Sequence, residues 1–184
     1  MGAPLPDVIQ TAVVTGAASG VGARIARALH AAGFRVVISD IDSEGASALA
    51  TDLDLAGETA VTATLDVSKP EHFQEVLDKV IDRWGSCEVL VNNAALTKAQ
   101  PVLDIAPEDF NRILTVNAGG TFAGSQIFGR HFKDRGYGRI INMASLAGQN
   151  GGTTTGAHYA ASKGAIMTLT KVFARDLAPF GITC

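Results

Sequence analysis

The chain has 184 residues, 47% of them apolar and 18% charged, with a formal net charge of -3. That length is enough for one domain with its own core, and the composition is too apolar for a disordered or fibrous chain. The slightly acidic balance, without any basic run, argues against a nucleic-acid partner, and no apolar stretch approaches the about 18 residues of a membrane span.

Residues 1–7 read as a short tail, M-G-A-P-L-P-D, with neither the charged nor the apolar region of a secretory signal. Ile9 to Thr15 is a compact β-branched run, expected as a buried strand. Thr15 to Gly22 reads T-G-A-A-S-G-V-G, and the helical A-R-I-A-R-A-L-H-A-A that follows stops at Gly33. Phe34 to Ser39 is a second strand, closed by Asp40. Residues 43–56 read as a helix, and Glu58 to Leu65 as a third strand ending at Asp66. Pro70 opens a helix through Trp84, a packing residue at its end; proline is preorganised for a first turn. Glu88 to Val91 is a fourth strand, followed by Asn92-Asn93-Ala94-Ala95. Pro107 opens one long helix through Arg135, and Arg139 to Met143 forms a fifth strand. Ala157 to Ala178 is the last helix, with Ala165, Ile166, Leu169 and Val172 at three- and four-residue steps.

Strands and helices alternate five times, and the strand cores are near-continuous apolar runs. This predicts an α/β fold, a doubly wound parallel sheet with helices on both faces, as one domain over residues 1–184. Cys87 and Cys184 form no disulfide framework, which fits a reducing compartment and a cytoplasmic protein. The histidines at 30, 72, 131 and 158 have no metal-ligand spacing, so no metal site is expected. His158 is expected at a pocket rim or the surface. Gln149, Asn150 and Thr153 to Thr155 are either the lining of a substrate entrance or a solvated loop.

Two stretches carry chemistry. A glycine-rich turn between a strand and a helix lets backbone N–H groups approach a pyrophosphate at the helix N-terminus. Here the spacing is G-x-x-x-G-x-G, at Gly16, Gly20 and Gly22, and Asp40 closes the second strand, where a carboxylate can grip a ribose hydroxyl pair. Asp40 would repel a 2′-phosphate, which favours NAD over NADP. In the second stretch Ser145 follows the fifth strand, at the end of the sheet where open α/β folds bind ligands. Tyr159 and Lys163 lie four residues apart on one helix face. A phenol titrates near ~10, too high for efficient proton exchange at neutral pH. Lowering that by about three units needs roughly 4 kcal/mol, which a cation about 4 Å away supplies at an effective dielectric near 20.

Together these residues resemble the short-chain dehydrogenase/reductase family, of its smaller type. The resemblance rests on Thr15-Gly16-x-x-x-Gly20-x-Gly22, Asp66-Val67, Asn92-Asn93-Ala94, Asn117, Ser145 and Tyr159-x-x-x-Lys163, in the family's order. It implies reversible hydride transfer between nicotinamide and a secondary alcohol or ketone, such as a 3-oxoacyl-thioester, polyol or sterol-like substrate. It also implies a cofactor site of Gly16, Ser19, Gly20, Val21, Gly22, Asp40, Ile41, Asp66, Val67, Asn93 and Ala94, with Tyr159 and Lys163 touching the cofactor too. Ser19 stands where NADP-using relatives often carry a basic residue. Tyr159 would be the acid/base, Lys163 its charged partner on the nicotinamide ribose, Ser145 the group orienting substrate oxygen, and Asn117 the holder of a water reaching Lys163. The resemblance implies a homo-oligomer, dimer or tetramer, for a longer polypeptide in which the last two helices meet a second copy. Ala95 departs from the family's usual glycine. P-F-G-I-T-C at Pro179 to Cys184 resembles the entry to a sixth strand, and this stretch is expected to be part of that longer chain; by itself it would leave strand five with an open edge.

Overall fold

The computed structural model describes residues 9–184; the expected tail at residues 1–7 lies outside them. Its centre is a six-stranded sheet in the order β3-β2-β1-β4-β5-β6, every pair parallel. The strands are β1 (Thr11–Thr15), β2 (Arg35–Asp40), β3 (Ala60–Thr64), β4 (Val89–Asn92), β5 (Gly138–Asn142) and β6 (Ile182–Thr183). The order reverses between β1 and β4. Chain growth runs outward from β1 through β2 and β3, then returns to the far side of β1. That switch opens a crevice at the carboxyl ends of β1 and β4.

Helices α1 (Gly20–Ala31) and α2 (Ser43–Leu53) cover one face, where Ala26, Ala46 and Leu49 pack against Val14, Val36, Ile38 and Val91. Helices α3 (Pro70–Trp84) and α5 (Gly120–Arg135) cover the other, with Phe73, Val76, Phe128 and Phe132 against Val13, Val37, Leu90 and Ile140. Phe73, Phe128 and Phe132 are fully buried, and burial of each side chain stabilises the fold by about 1.5–3 kcal/mol. Trp84 ends α3 packed on this core, with the Arg35 and Arg83 guanidinium groups over its ring.

Four expectations need correction. The helix from Pro107 is not one uniform element: α4 (Pro107–Leu114) passes into a π-helical turn (Thr115–Gly119) before α5. The connection after β5 contains a short helix, α6 (Ala147–Asn150), ahead of α7 (Ala157–Leu177). The helix expected over residues 43–56 ends at Leu53. Finally, β6 pairs with Gly138 and Arg139, so the first two residues of that edge are not open.

Candidate functional site

The glycine turn is built against β4. Thr15, the last residue of β1, accepts the N–H groups of Asn93 and Ala94 on its hydroxyl, both at 3.0 Å. The Asn93 amide donates back to the carbonyls of Thr15 at 2.9 Å and Gly16 at 3.0 Å. Gly22 must stay bare, because a Cβ there would stand 2.1 Å from the Gly16 carbonyl oxygen and 2.5 Å from Asn93 Nδ2. Gly20 differs in kind. Its φ is +57°, a left-handed conformation suited to glycine, and a Cβ would meet nothing within 4 Å. The turn is thus packed shut on its inner side and open at Gly20, where α1 begins. Ser19 precedes α1 without capping it by a side-chain hydrogen bond, and Val21 is exposed beside it. This open helix N-terminus suits a pyrophosphate.

A cleft of about 670 Å³ runs from this turn across the ends of β2, β3 and β4. Gly16, Ser19, Asp40, Ile41, Asp66, Val67, Asn93 and Ala94 all line it, as do Ala95, Leu96 and Arg112. The Asp40 carboxylate takes the Ala18 N–H at 2.9 Å on one oxygen and the Asp42 N–H at 3.0 Å on the other. Each oxygen keeps a lone pair, so the group can still accept ribose hydroxyls. Asp66 accepts the Ser68 hydroxyl at 2.7 Å and the Ser68 N–H at 3.0 Å, and these bonds hold its carboxyl below the usual range. The residues present therefore fit a dinucleotide: a bare glycine at a helix start, then a carboxylate at the neighbouring strand end.

Ser145, Tyr159 and Lys163 stand beyond this cleft, past the end of β5. Lys163 is 3% exposed; its Nζ donates to the Met143 carbonyl at 2.5 Å and lies 5.6 Å from the centre of the Tyr159 ring. Burial pushes its ammonium below the usual lysine range. The charge thus lies on the same side of α7 as the Tyr159 ring. The Ser145 hydroxyl accepts the Ala147 N–H at 3.2 Å, which seats it at the start of α6. Asn117 is fully buried in the π-helical turn, and its amide clasps the Leu96 backbone from both sides, accepting from N at 2.7 Å and donating to O at 2.9 Å. Its other proton goes to Ser162 Oγ at 3.0 Å. Only a lone pair on Oδ1 remains for the water that the resemblance assigns to it.

Residues 10–184 match the family model described as short chain dehydrogenase. The chain belongs to this family. It is 38% identical over 174 residues to a protein named sorbitol dehydrogenase from Cereibacter sphaeroides, covering 94% of this chain and 66% of the relative. Among solved structures it is similar to NAD+-bound xylitol dehydrogenase (TM-score 0.89, 34% identity, 94% of this chain and 66% of that one). It is also similar to a gluconate 5-dehydrogenase from Burkholderia cenocepacia J2315 in complex with NADP and tartrate (TM-score 0.86, 36% identity, 94% and 68%). The chain spans about two thirds of the length of these relatives.

Three features of the chain were not foreseen. His158 is not at a rim or surface; it is fully buried, because Gly156 leaves room for its ring. The Thr15 hydroxyl, which holds β4 to the glycine turn, gave no signal beyond its place in the motif. Ser162 joins Asn117 to the Tyr159 carbonyl, accepting from one and donating to the other at 2.7 Å, and only the fold brings those three together. In the Gly/Thr-rich connection, Asn150 accepts the Gly152 N–H at 2.9 Å, while the Thr155 hydroxyl is buried without a partner among the described residues.

Proposed function

We propose that the chain carries the cofactor site and the proton-transfer group of an NAD-dependent oxidoreductase acting on the secondary alcohol of a polyol or on the matching ketone. The observation that carries this reading is the buried Lys163 ammonium, fixed by the Met143 carbonyl and set over the Tyr159 ring beside an open dinucleotide cleft. The polyol class is supported by the names of the sorbitol and xylitol relatives.

When bound, a nicotinamide dinucleotide supplies the hydride acceptor in oxidation and the donor in reduction. Gly16, Ser19, Gly20, Val21 and Gly22 would hold its pyrophosphate, Asp40 and Ile41 the adenosine ribose, Asp66 and Val67 the adenine, and Asn93 and Ala94 the inner wall. Asp40 supports NAD, since a carboxylate at the end of β2 would repel a 2′-phosphate. Tyr159 takes the substrate's hydroxyl proton in oxidation and returns it in reduction. Lys163 stabilises negative charge on the phenolic oxygen and holds the nicotinamide ribose, while Ser145 orients the substrate oxygen. Asn117 supports the site by tying Leu96, on the cleft wall, to Ser162. The partly exposed Phe122 of α5, its ring tilted against that of Phe173 of α7 at 5.8 Å, and Val172 support a second copy of the chain against this pair of helices.

The test is a panel of polyols, acyl-thioesters and sterols followed at the NADH absorbance band, with NAD+ and NADP+ in parallel. The reading expects a polyol to be oxidised with NAD+ at the higher kcat/KM. Preference for NADP+ would contradict the cofactor assignment, and binding of NADH without turnover of any alcohol would make the chain a nucleotide-binding protein rather than an enzyme.

A further inference from the structure

His158 sits one residue before the proposed acid/base, fully buried, and no step described so far uses it. Helix α7 begins after Gly156, which has no side chain to cap it, and no other side chain caps its first residue. The first N–H groups of any helix lack intrahelical partners. Here the Tyr159 N–H is shared between the Gly156 carbonyl at 3.1 Å and His158 Nδ1 at 2.9 Å. The imidazole thus takes over the work of the missing cap. Gly156 and His158 are matched to each other: a Cβ on residue 156 would lie 2.2 Å from His158 Cε1 and 2.7 Å from Nδ1.

A ring nitrogen that accepts carries no proton, so the proton of the neutral ring is on Nε2. Nε2 is buried and has no partner among the described residues. Leaving a buried donor unpaired costs free energy that an apolar side chain of similar size would avoid, so packing alone does not account for a histidine here. At the other end of the same residue, the Tyr159 carbonyl accepts from Ser162 Oγ at 2.7 Å. Side chains therefore hold both peptide groups of Tyr159, one on each side of the phenol.

We propose that His158 is a positioning residue for Tyr159: its Nδ1 fixes the Tyr159 peptide in the first turn of α7 and so sets where the phenolic hydroxyl enters the site. This rests on Tyr159 being the acid/base proposed above. Asparagine places Oδ1 where the ring has Nδ1, whereas glutamine places its amide nearer Nε2. The two variants separate the roles.

In the unmutated full chain, long-range proton–nitrogen spectra are expected to show the His158 ring as the Nε2–H tautomer, with slow exchange at the Tyr159 amide. His158→Asn is expected to keep kcat within about threefold, while His158→Gln and His158→Ala lose about tenfold or more, equivalent to about 1.4 kcal/mol. NADH affinity is expected to stay within about twofold in all three (a change below about 0.5 kcal/mol). An Nδ1–H tautomer, equal rates for the Asn and Gln variants, or an unchanged rate for the Ala variant would overturn the proposal. Should the Ala and Gln variants lose NADH binding through misfolding, the tautomer and the amide exchange of the unmutated chain decide it. A fully active Tyr159→Phe would instead remove the acid/base reading, a failure visible without touching His158.

Discussion

Asp40 holds backbone on two sides of the cleft and carries the proposed preference for NAD. Its two oxygens hold the backbone at Ala18, in the glycine turn, and at Asp42, the residue that caps α2 by accepting the Gly45 N–H. Truncation to alanine would therefore loosen the turn as well as remove the charge. Asp40→Asn is the cleaner change: it keeps an acceptor and loses the repulsion toward a 2′-phosphate. It is expected to move the NADP+/NAD+ ratio of kcat/KM toward NADP+ by about tenfold or more, which corresponds to about 1.4 kcal/mol. Initial rates with both cofactors check this, and an unchanged ratio would show that Asp40 does not select the cofactor. Position and residue type singled out Asp40 in the sequence, as a carboxylate closing the second strand; its bonds to the Ala18 and Asp42 N–H groups could not be read there. His158 was not legible. Its burial depends on the missing side chain of Gly156, and a local pattern of polarity reads a histidine beside a glycine-rich loop as exposed.

At the level of elements, the joint between β1 and β4 is held by hydroxyl and amide groups rather than by apolar packing. Thr15→Val keeps the shape but strands the N–H groups of Asn93 and Ala94. It is expected to cost about 1–3 kcal/mol, seen as a lower urea midpoint, and to weaken NADH binding by opening the glycine turn. The joint between α2 and β3 carries a pH prediction. Asp54 accepts the Thr59 hydroxyl at 2.7 Å and the Thr59 N–H at 2.6 Å, bonds that lower its pKa from 3.8 to about 2. A carboxyl lowered in the folded state adds stability above its unfolded value, and that contribution is lost as pH falls from near 3.8 toward about 2. Asp54→Asn is thus expected to flatten the stability profile in that window without changing its shape near neutrality, as measured by denaturant midpoints across pH. Most elements were legible: β1, β2 and β4 have apolar cores rich in β-branched residues, and Pro70 and Pro107 mark two helix starts. The π-helical turn at Thr115–Gly119 was not, since a helical periodicity runs through it without a proline. It lies where the Asn117 amide clasps Leu96, a tertiary contact between residues 21 positions apart.

Across the molecule, the two halves of the candidate site lie at one end of the sheet but on different strands: the proposed cofactor cleft at the ends of β1 to β4, the proposed proton-transfer groups past β5. A partly buried polar chain ties β4, β5, α5 and α7 together. Asn92 at the end of β4 donates to Ser125 of α5 at 3.1 Å and to Asn142 of β5 at 2.8 Å, and Asn142 donates to Thr170 of α7 at 3.0 Å. Asn142→Leu removes both of its bonds and leaves one Asn92 amide proton without its acceptor, so about 1–3 kcal/mol of stability should go with it. A two-state denaturation curve checks the loss. The family could be read from motif spacing and the parallel sheet from apolar runs alternating with helices; the link between strand ends could not, because neutral asparagines at strand ends carry no such signature. The claim on which everything else turns is that Tyr159 moves the proton while the cleft holds the dinucleotide without it. The direct measurement compares parent and Tyr159→Phe for NADH affinity and for single-turnover oxidation of a polyol by NAD+. The account predicts that affinity is retained while the rate falls by about 10²–10⁴-fold. A Tyr159→Phe protein that turned over at the parental rate, or that lost NADH binding along with its activity, would contradict it.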